Sequence, residues 1–150
     1  MSSTKVVLTA ETVPHVALDI MNNTHFEELE LVRSLGELIT HYQQGDNDIL
    51  SQALNEWLEH TQTHFSRENK LMVDIQFPMY LVHSGEHAQV LEEMESIVTS
   101  WNNDHDIALL SEYVFTAWPQ WFQQHVNSMD MVTAQFAVMN GYDPHKSAQD

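Results

Sequence analysis

The sequence contains no cysteine and no long apolar run. The absence of cysteine excludes disulfide bonds, thiolate-ligated zinc or iron–sulfur clusters, and a cysteine nucleophile. It is compatible with a reducing compartment. No apolar stretch approaches the roughly 20 residues that a membrane-spanning helix needs. Residues 1–11 (MSSTKVVLTAE) do not form a convincing signal peptide. We therefore expect a cytoplasmic protein without a membrane partner.

Basic residues are also scarce, whereas histidine is abundant. Five Lys and Arg stand against 22 Asp and Glu, which gives a formal net charge of −17 at pH 7. This charge opposes binding to phosphate backbones, so nucleic acid is not an expected partner. A charge of this size is otherwise typical of a soluble protein or of a salty habitat. The ten histidines exceed average usage, and some of them therefore need a specific explanation.

Apolar residues recur at the three- and four-residue spacing of amphipathic helices, and no strand pattern, repeat or low-complexity linker occurs. We predict four helices, over residues 22–43, 48–74, 78–100 and 107–139. Asn22 or one of the two residues after it can cap the first helix, with Glu27 and Glu28 in its first turn. Pro119 is expected to kink or split the last helix.

The expected fold is all-α, because four amphipathic helices with short connections predict an antiparallel up-and-down four-helix bundle. One domain is expected across residues 1–150, with its core at about 16–140. Residues 1–20 are predicted to form an N-terminal arm, and the residues after Gly141 a short C-terminal tail. Such bundles commonly hold metal sites in their cores.

Potential metal ligands interrupt the apolar stripes of these helices. His64 and Glu68 lie four residues apart on the second stripe, and His83 and His87 lie four apart on the third. Each pair can therefore point at one spot. Imidazoles and carboxylates that are buried without partners are costly, and a metal ion removes that cost. The first helix adds His25 to the same set, one turn before an apolar residue of its own stripe.

The fourth helix offers His125 and Asp130. Five residues are about 1.4 turns of an α-helix, so these two do not share a face closely. The pair is acceptable if one is a terminal ligand and the other bridges two metals. Five imidazoles and two carboxylates are too many for one tetrahedral zinc, and imidazole-rich ligation suits iron, copper, nickel or zinc. His60 precedes His64 by one turn but lies off the stripe, so we predict it at the surface.

This ordered set of motifs resembles the hemerythrins, specifically the short bacterial hemerythrin-domain proteins, over roughly residues 16–140. The matching segments are MNNTHFE (21–27), HFSRENKLM (64–72), FP (77–78), HSGEH (83–87) and WFQQHVNSMD (121–130). All seven ligand positions of the family pattern are present in order, which makes the resemblance highly specific. One departure is Asn69, where many relatives carry a second acidic residue.

The resemblance implies two iron ions in an oxo- or hydroxo-bridged centre. His83, His87 and His125 would complete one iron, and His25 and His64 would bind the other, which keeps an open site. Glu68 and Asp130 would bridge the two irons.

The function implied is reversible O2 binding by a carrier, store or sensor that is not an enzyme. Two alternatives stay open: a di-iron redox enzyme acting on peroxide, nitric oxide or ferrous iron, and an oxygen- or redox-sensing module that signals through a partner. Phe65, Trp121 and Met129 are candidates for the lining of the site. The sequence leaves the oligomeric state open.

Overall fold

The computed structural model describes residues 13–142, and within that range it contains helices and no strands. A 3₁₀ turn at Gln44–Asp46 separates the first two long helices. The fourth helical stretch is divided into three α-helical pieces by π-helical turns at Tyr113–Ala117 and Val126–Asp130. The helices are α1 (Asp19–Thr40), α2 (Asn47–Asp74), α3 (Tyr80–Asp104), α4 (Ile107–Glu112), α5 (Trp118–His125) and α6 (Met131–Met139).

The four helical stretches contact one another in a ring. Helix α1 contacts α2, α2 contacts α3, α3 contacts α4, and α1 also contacts α4 and the π-helical turn after it. Apolar side chains from every stretch fill the centre, among them Val32, Leu54, Met94 and Val114, which are all fully buried. The predicted all-α fold is therefore confirmed as a helical bundle. The predicted arm and tail lie largely outside the described residues.

Helix α1 begins three residues earlier than predicted, because Asn22 is not its cap. The Asn22 side chain points inward, where its Oδ1 accepts from the backbone N–H of Val16 (2.9 Å) and its Nδ2 donates to the Val16 carbonyl (3.0 Å). Both backbone polar groups of Val16, its N–H and its carbonyl, are thereby hydrogen-bonded. Asn22 fastens that segment to the bundle, and α1 begins at Asp19.

The interruption predicted at Pro119 takes the form of a π-helical turn directly before α5. The backbone N–H of Trp118 bonds to the carbonyl of Tyr113, five residues earlier. Pro119 then lies in the first turn of α5, where its missing N–H would have no helical partner in any case. Among the described helices, none combines the length and the apolar character that crossing a membrane requires.

Candidate metal centre

Seven side chains with metal-binding atoms meet inside the bundle. Each is at most 5 % exposed, and each was predicted from the sequence. They are His25 from α1, His64 and Glu68 from α2, His83 and His87 from α3, and His125 and Asp130 from the fourth stretch. The structure thus brings every predicted site residue to one place.

Five of these residues form one group, in which each offers a ligand atom within 4.8 Å of all the others. We call Glu68, His83, His87, His125 and Asp130 the five-residue group. The Asp130 Oδ1 atom lies 3.1 Å from the Nε2 atoms of both His83 and His125. The Glu68 Oε1 atom lies 3.3 Å from His87 Nε2. Three imidazoles and two carboxylates therefore surround a single point.

A second, smaller group consists of His25, His64 and Glu68, again with ligand atoms within 4.8 Å of one another; we call it the three-residue group. The His64 Nε2 atom lies 2.8 Å from Glu68 Oε2. The His25 Nε2 atom lies 2.9 Å from Asp130 Oδ2. Each carboxylate thus turns one oxygen toward each group, so Glu68 and Asp130 stand between two adjacent positions for cations.

The π-helical turn at Val126–Asp130 is what aligns His125 with Asp130. The N–H of Met131 bonds to the carbonyl of Val126, five residues earlier. In such a turn residue i+5 takes the place that residue i+4 has in an α-helix. The expectation that the two side chains do not share a face was wrong, because it assumed α-helical geometry. The wider turn converts the spacing of five residues into one aligned pair.

Buried ligand atoms without hydrogen bonds indicate where a cation fits. Glu68 Oε1, Asp130 Oδ1 and His87 Nε2 are all buried, and none has a hydrogen-bond partner among the described residues. All three belong to the five-residue group. Leaving such atoms unpaired costs on the order of 1–3 kcal/mol each, and a cation at this point would satisfy all of them together. The donor set therefore fits a metal ion.

The environment of His87 strengthens this conclusion. Its Nδ1 lies 2.9 Å from Asn69 Oδ1, an acceptor, so that nitrogen carries the proton. Burial lowers the pKa of His87, which favours the neutral ring. The lone pair on Nε2 then faces the carboxylate oxygen of Glu68 at 3.3 Å. A cation between these two atoms would satisfy both, since neither has a hydrogen-bond partner among the described residues.

Polar groups behind the imidazoles fix which nitrogen faces the site. Four of the five Nδ1 atoms lie near an acceptor oxygen: those of His64 (Glu28, 3.4 Å), His83 (Thr133, 2.8 Å), His87 (Asn69, 2.9 Å) and His125 (Glu86, 3.5 Å). Where Nδ1 donates to such an oxygen, as at His83 and His87, Nε2 is left as the ligand atom and the hydrogen bond holds the ring in place. The Nδ1 atom of His125 makes no hydrogen bond to the described residues and only lies near Glu86. The sequence departure at Asn69 thus affects the surroundings of His87 and not the ligand set.

Glu28 is the residue that sequence reasoning missed. We placed it in the first turn of α1, but it lies inside that helix and is only 1 % exposed. Its carboxylate accepts from Trp57 Nε1 (2.6 Å), from Thr61 Oγ1 (2.7 Å) and from His60 Nδ1 (2.7 Å). The spacing was a usable signal, because Glu28 follows His25 by three residues and therefore shares its helical face.

His60 was predicted at the surface, and the structure places it there only in part. Its side chain is only 20 % exposed and bridges Glu28 to the exposed Glu27, whose Oε1 lies 3.3 Å from His60 Nε2. Burial alone would raise the pKa of Glu28, but the hydrogen bonds from His60 and His64 lower it to about 2. Glu28 is therefore an anion at neutral pH, and it links His64 to the outer edge of the bundle through His60.

Opposite charges hold the metal-free site together. Burial alone would lower the pKa of His64, but Glu68 and then Glu28 raise it to about 10. Burial alone would also lower the pKa of His125, but the charge of the Asp130 carboxylate raises it to about 9. At neutral pH both rings carry protons that a metal ion would displace.

Two of the three side chains that were predicted to line the site are aromatic, and both stack on ligand imidazoles. Phe65 stacks on His87 with ring centroids 4.0 Å apart, and Trp121 stacks on His125 at 4.7 Å. Met129 lines a cavity of about 210 Å³ that also touches His83. These contacts restrict the motion of the imidazoles and keep water from their faces.

The fold and this site define a helical bundle with a buried, histidine-rich cation site. The family profile described as "Hemerythrin HHE cation binding domain" matches residues 14–137. Bacteriohemerythrin of Ralstonia nicotianae is 35% identical over 96 residues, which are 64% of this chain and 69% of that protein. Bacteriohemerythrin of Aquifex aeolicus is 24% identical over 115 residues, 77% of this chain and 86% of that protein.

The comparison with solved structures gave no significant match. The profile nevertheless spans most of the sequence, and the Ralstonia relative is aligned over more than two thirds of its length. The chain belongs to the hemerythrin family. The resemblance read from the sequence is confirmed.

Proposed function

We propose that this chain binds O2 reversibly at a non-haem di-iron centre and works as an oxygen carrier, store or sensor. His83, His87 and His125 would hold one iron. His25 and His64 would hold the other, with Glu68 and Asp130 bridging. A bound iron pair would supply electrons to O2 and recover them when O2 leaves. The family description as a cation-binding domain and the relatives named bacteriohemerythrin support this proposal.

The observation that carries the proposal is the inequality of the two positions. Three imidazoles surround the five-residue group, whereas two belong to the three-residue group. A cavity of about 300 Å³ reaches His64 and Glu68 of the smaller group. A cavity thus leads to the position with fewer protein ligands, where a coordination place would be left for a small molecule.

The walls of this cavity suit a small neutral gas. Met21 and Leu71 are buried apolar side chains that line it. Apolar walls hold little water, so O2 is not displaced there by solvent. Glu28 holds the Nδ1 side of His64 and thereby orients its Nε2 toward the site. Met21 and Leu71 thus give the ligand an apolar path, and Glu28 orients His64, as a binding protein would require.

The remaining expectations stay part of this proposal. Short connections and the ring of helix contacts support an antiparallel up-and-down order of the helices. A cytoplasmic location and the absence of enzymatic activity are proposed with it. Redox turnover of peroxide, nitric oxide or ferrous iron, and sensing through a partner, are the alternatives that the test must separate.

The test combines metal analysis with absorption spectra of the iron-loaded chain after anaerobic reduction and after re-oxygenation. We expect two irons per chain and a visible band that appears with O2 and disappears on its removal. One zinc per chain without any oxygen-dependent band would refute the proposal. Rapid irreversible oxidation with turnover of peroxide or nitric oxide would identify an enzyme instead. Glu68→Gln should lose the paired metals, whereas the exposed His41→Gln should keep them.

A further inference from the structure

The cavity beside the three-residue group has an unusual mouth for so acidic a protein. Arg67 and Lys70 line it, and they are two of only five basic residues in the chain. Both are exposed, whereas His64 and Glu68, which line the same cavity, are buried. The cavity therefore connects the surface with the proposed metal position, and its positive charges stand at the outer end.

We propose that Arg67, assisted by Lys70, forms a vestibule that collects small inorganic anions at the entrance to the centre. We call the cavity mouth at Arg67 and Lys70 the cationic vestibule. This inference rests on the proposed function in one respect: the anion would move on to a metal held by His64 and Glu68, which are proposed ligands. The vestibule itself depends only on the charges and shape of the chain.

Arg67 carries the positive charge that is available to a ligand. Within residues 13–142 its guanidinium makes no ion pair, in contrast to Arg33, which binds Glu30 (2.6 Å) and Glu37 (3.2 Å). Lys70 binds Asp74 at 2.7 Å, so most of its charge is offset. The other carboxylate at the cavity is Glu68, which would be neutralised by the metals that it bridges. Among residues 13–142, a net positive charge therefore remains at the mouth.

The surroundings make this local charge effective. The chain as a whole carries a formal charge of −17, which repels anions over most of its surface. A positive charge at an entrance with apolar walls then gives anions a favourable approach to the site. Such focusing raises the association rates of charged ligands and weakens as salt is added. The guanidinium group also suits small oxyanions and linear anions, because it presents several N–H donors in a plane.

The first test uses azide as the probe and zinc as the metal, so that it does not depend on O2 chemistry. The full-length, ¹⁵N-labelled, zinc-loaded chain is titrated with azide at constant ionic strength while the side-chain Nε–H resonances of Arg67 and Arg33 are followed by NMR. We expect a saturable shift at Arg67 and little change at Arg33. Parallel, non-saturating shifts at both arginines would overturn the vestibule.

The second test measures association rates at the iron-loaded centre by stopped-flow absorption. At an ionic strength of about 0.01 M, Arg67→Gln should slow azide binding about threefold, whereas Arg33→Gln, with the same change in net charge, should not. The difference should disappear at about 1 M salt, where charges are screened beyond about 3 Å. Binding of neutral nitric oxide should be equal in all three proteins.

The two proposals fail in different ways. If Arg67→Gln and Arg33→Gln slow azide equally, or if nitric oxide slows in step with azide, the vestibule is refuted while O2 binding stands. If the re-oxygenation test fails but Arg67 shows saturable azide binding in the zinc-loaded chain, the vestibule stands and the O2 proposal is wrong.

Discussion

Glu28 shows how one buried carboxylate can organise the outer part of a metal site. It collects hydrogen bonds from Trp57, Thr61 and His60, and it faces the Nδ1 atom of the proposed ligand His64. These donors come from α2, whereas Glu28 belongs to α1, so the carboxylate also joins two helices. A buried anion is stable only with such a complete set of donors. Replacing it should therefore affect both the bundle and the ligand.

Replacing Glu28 by glutamine should lower the free energy of unfolding of the metal-free chain by about 3 kcal/mol at pH 7, because an NH2 group then faces N–H and O–H donors. The pKa of Glu28 is lowered from 4.5 to about 2. Its contribution is therefore present above pH 4.5 and is lost as the pH falls through about 2. Urea unfolding between pH 7 and pH 3 should show the difference from wild type shrinking toward acid.

Glu27 provides the matched control, since it precedes Glu28 directly and its side chain is 63% exposed. Its carboxylate oxygen Oε1 lies 3.3 Å from His60 Nε2, at the edge of the network. Glu27→Gln should change the unfolding free energy by less than about 1 kcal/mol. An equal loss in the two variants would mean that charge near His60, and not the buried network, stabilises this corner.

Among the helical elements, the π-helical turn at Val126–Asp130 determines which side chains of the fourth helical stretch reach the site. An α-helix would turn Asp130 away from His125, and the wider turn keeps both in the five-residue group. Asp130 in turn reaches His25 on α1. One extra residue in a helix thus connects the first and last helical stretches through a single carboxylate.

Shortening this turn by one residue should preserve metal binding, whereas lengthening it by one residue should weaken metal binding. Deleting the exposed Asn127 leaves His125 and Asp130 four residues apart, which an ordinary α-helical turn aligns. Inserting alanine after Asn127 makes the spacing six, which in an α-helix places the aspartate about 120° away from His125 around the helix axis. Metal content after gel filtration should stay at two ions per chain in the deletion variant and fall in the insertion variant. Equal losses in both would show that the π-helical turn is not what aligns the pair.

For the whole molecule, the sequence was sufficient for the fold class, for the approximate extent of the helices and for the convergence of the seven site residues. Periodicity carries that information for the residues that lay on an apolar stripe, whereas Asp130 lay off the stripe of its helix and was placed in the full set by the family resemblance. It was insufficient for the π-helical turn, since hydrophobic spacing does not distinguish five-residue from four-residue hydrogen bonding. It was also insufficient for Asn22, whose side chain bonds to Val16 in the segment that precedes the helix. Such contacts depend on tertiary structure, which no local pattern encodes.

The buried charges should make the stability of the whole bundle depend on a bound metal ion. Removing the ions leaves Glu68 Oε1 and Asp130 Oδ1 buried without hydrogen bonds among the described residues. Metal that binds only the folded chain adds about 4 kcal/mol when its concentration is 1,000 times the dissociation constant. For about 150 residues this corresponds to a rise in the melting temperature of about 10 °C.

Calorimetry of the loaded chain, and of the same chain after chelation, should show this rise, which re-addition of metal restores. Glu68 contributes to both ligand groups, so Glu68→Gln should reduce the difference between loaded and chelated protein to a few degrees. The control is His41→Gln. His41 is exposed and directly follows the last residue of α1, so this change should preserve the full difference in melting temperature. A chelated wild type that melts at the same temperature as the loaded protein would show that the fold does not need a cation to hold these carboxylates together.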